Sequence, residues 1–63
     1  MKIKRKSPHT GEMNVRDIDV TEEEYLAWES GTLIQNAMPR ATADDREFIL
    51  SGYTPEDWEA LFR

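Results

Sequence analysis

Chemistry in a chain of 63 residues has to come from few groups, and the acids are the most numerous of them, 13 Asp and Glu against 8 Lys and Arg. Two close pairs, Asp17 with Asp19 and Asp44 with Asp45, invite a reading as catalytic carboxylates. Residues adjacent on a helix do not face one another, however, and Asp44, Asp45, Glu56 and Asp57 fall where helix first turns are expected, so the macrodipole already gives them a structural use. A core this thin also offers little burial with which to drive two carboxyl pKa values apart. His9, the single histidine, stands in a turn-forming stretch without a second histidine or a cysteine to complete a metal set, and no serine–histidine or cysteine–histidine arrangement accompanies it. Gly11, Gly31 and Gly52 are isolated, so no phosphate-cradling loop is spelled out. The expectation is a protein without catalysis, cofactor or metal.

Two binding signals remain. The basic run "KIKRK" places Lys2, Lys4, Arg5 and Lys6 together, the charge type that phosphate contact requires, though no aromatics are interleaved for base stacking. It supports an alternative reading as a nucleic-acid-binding module. The opposite sign dominates the rest of the chain. Residues 1–20 carry five basic groups against three acids, +2, whereas residues 21–63 carry three arginines against ten acids, −7, which together give the net −5. An acidic helical surface can steer a basic protein, or act as a nucleic-acid mimic. Aromatic side chains dominate interface hot spots. Trp28 and Trp58 are expected to be consumed by the core, which leaves Tyr53, Met38 and Phe62 as the candidates for exposed partner contact. An open strand edge is a further route to a partner.

The elements that must position these groups are marked by local chemistry. "MKIKRK" alternates as a half-exposed strand, "SPHTG" is a turn, and "EMNVRDIDV" alternates again with an apparent change of phase between Met13–Val15 and Ile18–Val20. A hairpin pairing Ile3 with Val15 is expected, with a β-bulge or the end of pairing near Arg16–Asp17. From Thr21 the period becomes helical. Thr21 and Glu24 have the form of a capping box with Val20 and Tyr25 as its staple, and Gly31 ends a helix that presents Tyr25, Leu26 and Trp28 inward. A short helix from about Thr32 presents Leu33, Ile34, Ala37 and Met38 until Pro39 stops it. Thr42 caps a third helix with Phe48, Ile49 and Leu50 at its packed end, and Gly52 terminates it. Thr54 caps the last, with Pro55 in first position, Tyr53 stapled to Trp58, and Trp58, Leu61 and Phe62 buried. The expected fold is α+β, a single domain over 1–63 with a β-hairpin in 1–20 and three or four short helices in 21–63.

So short a chain buries only about 60% of the surface its unfolded form exposes. With no cysteine, it must rely on packing or on association, as a monomer or weak homodimer. No apolar run approaches the ~20 residues of a membrane span, and no signal-peptide core follows the basic start.

The pieces "SP.TG", "DIDVTEEEYLAWESGTLIQNAMP", "ADDREFILSG" and "YTPEDWEALF" together resemble a set of small uncharacterised proteins encoded by tailed bacteriophages and prophages. The resemblance spans nearly the whole chain and is carried by Trp28, Gly31, Ile34 and Gln35 and by the Asp–Arg–Glu–Phe and Thr–Pro–Glu–Asp–Trp segments. It implies a phage or prophage origin and a working life in the bacterial cytoplasm, with a host or phage protein as partner. It implies no activity and no site residue.

Overall fold

In the computed structural model, which describes residues 1–62, an antiparallel hairpin of β1 (Lys2–Lys6) and β2 (Met13–Asp17) is followed by four helices, α1 (Glu22–Glu29), α2 (Ile34–Ala37), α3 (Ala43–Ser51) and α4 (Pro55–Leu61). The α+β expectation holds.

The register differs from the expected one. Ile3 lies opposite Arg16, and Val15 opposite Lys4. The turn sets this: the Ser7 N–H donates to the Glu12 carbonyl and the Gly11 N–H to the Ser7 carbonyl, each at 2.8 Å, so the closing pair is Ser7 with Glu12. Counting back from that pair puts Asn14, Arg16 and then Ile18 on the same face as Ile3, in one unbroken phase, with one-to-one pairing from Lys2–Asp17 to Lys6–Met13. No bulge is needed. Pairing ends at Asp17, and Met13 and Val15, expected inside, are exposed. Arg16 takes the inner position instead, its guanidinium 5.8 Å from the centre of the Phe48 ring and donating through Nε and Nη2 to Asp45 Oδ1 at 3.2 and 3.0 Å. A long stem with a paired head can fill an inner site that hydropathy would reserve for an apolar residue.

The helix starts follow the sequence closely. Thr21 and Glu24 exchange bonds, Glu24 N–H to Thr21 Oγ1 at 3.1 Å and Thr21 N–H to Glu24 Oε1 at 2.8 Å. Thr42 Oγ1 accepts from the Asp45 N–H. These contacts satisfy amides that have no partner inside a helix.

The core is Ile3, Ile18, Val20, Ala37, Met38, Ala41, Phe48 and Ile49, with Tyr25, Ala27, Trp28 and Ile34 packed against it. The expected inner faces are therefore corrected at several positions. Leu26, Leu33, Leu50, Leu61 and Phe62 are exposed, and Trp58 lies outside the core cluster. Met38, expected as a contact residue, has no exposed surface. It caps the C-terminus of α2, its N–H donating to the Ile34 carbonyl, and its side chain belongs to the core cluster with Ala37, Ala41 and Phe48. Arg5, on the inner face of β1, ties three elements together: Nε donates to the Ile49 carbonyl at 3.1 Å and Nη2 to the Tyr25 hydroxyl at 2.8 Å. A cation on a carbonyl of the last turn of α3 complements that helix end.

Candidate functional site

Two neighbouring surfaces depend on where α4 is placed, and three local devices place it. Gly52 ends α3 with φ 87°, a conformation that disfavours any side chain, and it approaches β1 so closely that a Cβ there would strike the Lys6 carbonyl oxygen. Thr54 then starts α4. Its Oγ1 accepts from the Asp57 N–H at 3.1 Å, and its own N–H donates to Asp57 Oδ2 at 3.0 Å, a capping box closed by aspartate. The same Oδ2 also accepts from the Ser7 hydroxyl at 2.7 Å, which fastens α4 to the hairpin turn. Ser7 is fully buried, and its Oγ accepts in turn from the N–H groups of His9 and Thr10.

Asp57 is expected from sequence only to answer the helix dipole, so its burial and its link to Ser7 are additions. The available signal was the Thr–x–x–Asp spacing, which is a capping-box form. The Thr54 N–H, and next the Ser7 hydroxyl, hold the Asp57 carboxyl below its ordinary pKa, against the opposing effect of burial. Glu24 is likewise lowered, first by the Thr21 N–H and further by the Arg40 guanidinium, whose Nη2 lies 2.6 Å from Oε1.

The first surface is aromatic. Tyr53, just before α4, sits 5.0 Å from Trp58, ring centre to ring centre, as the expected staple requires, and Phe62 stacks on Trp58 at 5.1 Å with the planes 10° apart. Phe62 is 74% exposed and Leu61 44%. Of the three partner-contact candidates the structure brings Tyr53 and Phe62 to one corner and removes Met38 to the core. Trp58, read from sequence as core, joins the corner.

The second surface is an open groove of about 380 Å³ with Glu12, Asn14, Val15 and Arg16 on the hairpin side and Glu56 and Asp57 on the helix side.

The basic run is split by strand alternation. Lys2, Lys4 and Lys6 are exposed on the outer face of the hairpin, while Arg5 is turned inward to Ile49 and Tyr25. The carboxylate pairs are also dispersed. Asp17 meets the Met1 amine at 3.1 Å, Asp19 meets Arg40 at 3.4 Å, and Asp45 holds Arg16 while Asp44 is exposed. His9 is exposed, and among the described residues no group of His, Asp and Glu is placed to hold a metal ion. No helix among the described residues is long and apolar enough to cross a membrane. Neither a protein-family model, nor a curated protein, nor a solved structure matches the chain.

Proposed function

We propose that this chain is a non-enzymatic accessory protein of bacteriophage or prophage type that acts in the bacterial cytoplasm by binding another protein through the corner of Tyr53, Trp58 and Phe62. One observation carries the reading: Phe62 keeps 74% of its surface exposed while stacked on Trp58. Stacked aromatic side chains with an exposed end have few rotors to freeze on binding and are the kind of anchor that dominates protein interfaces. The acidic balance of residues 21–63 favours a partner with a basic rim. The phage assignment is supported by the sequence resemblance alone.

The test is affinity capture from bacterial lysate with the wild type, Phe62→Ala and an unrelated surface variant, Glu22→Gln. A defined protein retained by wild type and Glu22→Gln but lost with Phe62→Ala supports the reading. Capture that is the same for all three, or no capture at all, counts against it.

A second reading is nucleic-acid contact, favoured by the three lysines on one exposed strand face. It requires Lys2, Lys4 and Lys6 but not Arg5, which is committed elsewhere. Binding through three phosphates would fall with salt at a log–log slope of about −2.7 on duplex DNA. Anisotropy of a labelled duplex across a salt series, with the three lysines replaced by alanine, decides between the two.

A further inference from the structure

The two long edges of the hairpin are not equivalent. Met1 and Ile18 exchange bonds, the Met1 amine donating to the Ile18 carbonyl and the Ile18 N–H to the Met1 carbonyl, and Ser7 bonds Glu12 at the other end. In an antiparallel ladder such bonded pairs alternate with pairs whose backbone groups point away. With the observed register, the N–H and C=O groups of Lys2, Lys4 and Lys6 therefore line the outer edge of β1, and those of Met13, Val15 and Asp17 line the outer edge of β2.

The β1 edge is guarded. Its three outward positions are lysines, a common device against strand addition, and Gly52 crosses it at the Lys6 carbonyl. Over Met13–Asp17 the β2 edge has neither lysine nor proline. Among the described residues no backbone bond from outside the hairpin reaches Met13, Val15 or Asp17.

The groove runs beside this edge and is negatively charged. Arg16 is committed to Asp45, and Asp57 to Thr54 and Ser7. Glu12 and Glu56 stand on opposite walls, and neither has an ion-pair partner among the described residues. Side chains of a strand added at this edge would alternate. One set would enter the groove between Glu12 and Glu56, and the other would lie beside the exposed Met13 and Val15 on the outer face.

We infer that the β2 edge and its groove bind an extended segment of another protein as a third strand, with lysine or arginine at alternate positions facing Glu12 and Glu56 and apolar residues between them. Backbone bonds would supply affinity, and the groove would read the alternate side chains. A second copy of this chain fits poorly. Each copy carries a net charge of −5, and edge-to-edge pairing would set two grooves bearing Glu12 and Glu56 beside one another with no basic partner strand between them. The site shares α4 with the aromatic corner but none of its residues, so each stands or falls by itself.

The probe is an end-capped peptide, Lys-Val-Lys-Val-Lys, titrated into the isotope-labelled full chain and followed by amide chemical shifts and hydrogen exchange. Shifts should concentrate at Met13, Val15, Asp17 and Glu56, with exchange at the Val15 amide slowed about tenfold or more at saturation. The same peptide methylated on alternate backbone nitrogens keeps its charge but loses ladder donors, and should bind at least about tenfold more weakly. Glu12→Gln with Glu56→Gln should weaken the unmethylated peptide, and Phe62→Ala should leave it unchanged. Val15→Pro removes an outward N–H that the hairpin does not use and should block binding; if that variant fails to fold, the methylated peptide still decides. Equal affinity of the two peptides would reduce the effect to bulk charge and overturn the proposal. So would shifts confined to Trp58 and Phe62, no binding at millimolar peptide, or protection of Val15 that rises with protein concentration in the absence of peptide, which would make a second copy the occupant.

Discussion

Ser7 Oγ and Asp57 Oδ2, 50 positions apart in the chain, lie 2.7 Å apart in a buried hydrogen bond that joins the hairpin turn to the last helix. Ser7 also accepts from His9 and Thr10, so its hydroxyl organises the turn and holds α4 at once. Ser7→Ala should destabilise the protein by about 1–3 kcal/mol, because two amides and one carboxylate lose a partner where that partner was buried. Equilibrium urea unfolding measures it, and a change within experimental error would show the turn to be held by backbone bonds alone.

The lowered carboxyls of Asp57 and Glu24 give stability a defined pH dependence. A folded-state pKa below the unfolded one contributes stability that is fully present above the unfolded value, about 4, and lost as pH falls through the folded value. The melting temperature should therefore decline as the solution is acidified below about pH 4. Asp57→Asn should melt lower than wild type at neutral pH, with the gap closing in acid. A gap that is constant across the range would mean that ionisation of Asp57 has no part in it.

Gly52 and Gly31 both have positive φ, but only Gly52 has a neighbour in the way. Gly31→Ala should cost the backbone term alone, about 1 kcal/mol. Gly52→Ala adds displacement of the Lys6 carbonyl and should cost more than about 2 kcal/mol. Comparing the two variants isolates the close approach from the backbone preference, and equal losses would remove the need for it.

Phe48 and Phe62 are opposite cases of one residue type, the first without exposed surface and the second mostly exposed. Phe48→Ala should cost about 3–5 kcal/mol, enough to unfold a domain of this size. Phe62→Ala should stay within about 0.5 kcal/mol of wild type. A large loss on removing Phe62 would make the aromatic ladder part of the core rather than a contact surface, and thermal melts of both variants distinguish the cases.

What could be read from the sequence divides along a physical line. Helix starts and stops at Thr21, Thr42, Gly52, Thr54 and Pro55 rest on contacts within one turn of chain, so residue identity and spacing were enough. Register and inner faces depend on distant partners. Arg16 occupies a core-side position because Phe48 and Asp45 are there to receive it, and nothing local announces that. With Arg16 counted as polar and outward, hydropathy assigns Met13 and Val15 to the core. In α1, α3 and α4 apolar residues stand beside one another, as at Tyr25–Leu26, Ile49–Leu50 and Leu61–Phe62, and a helix so short cannot bury them all. The Tyr53–Trp58 staple was legible because it brackets a cap. The burial of Met38 was not, since it follows from how α2 meets the rest of the core; Phe62 reads both as buried with Trp58 and Leu61 and as an exposed contact, and nothing local decides between the two.

The contact between Gly52 and the Lys6 carbonyl also orders events in time. It joins two distant parts of the chain, the end of β1 and the residue that closes α3. Closing so long a loop carries an entropic cost that the local turns of α1 and α2 do not meet. Loop-closure entropy alone therefore predicts that the last helix seats after the local turns have formed, and stopped-flow refolding in which Trp58 signals no later than Trp28 would overturn that order. Trp58 is placed to report that step by its fluorescence, while Trp28, packed against the core cluster, is placed to report assembly of the core.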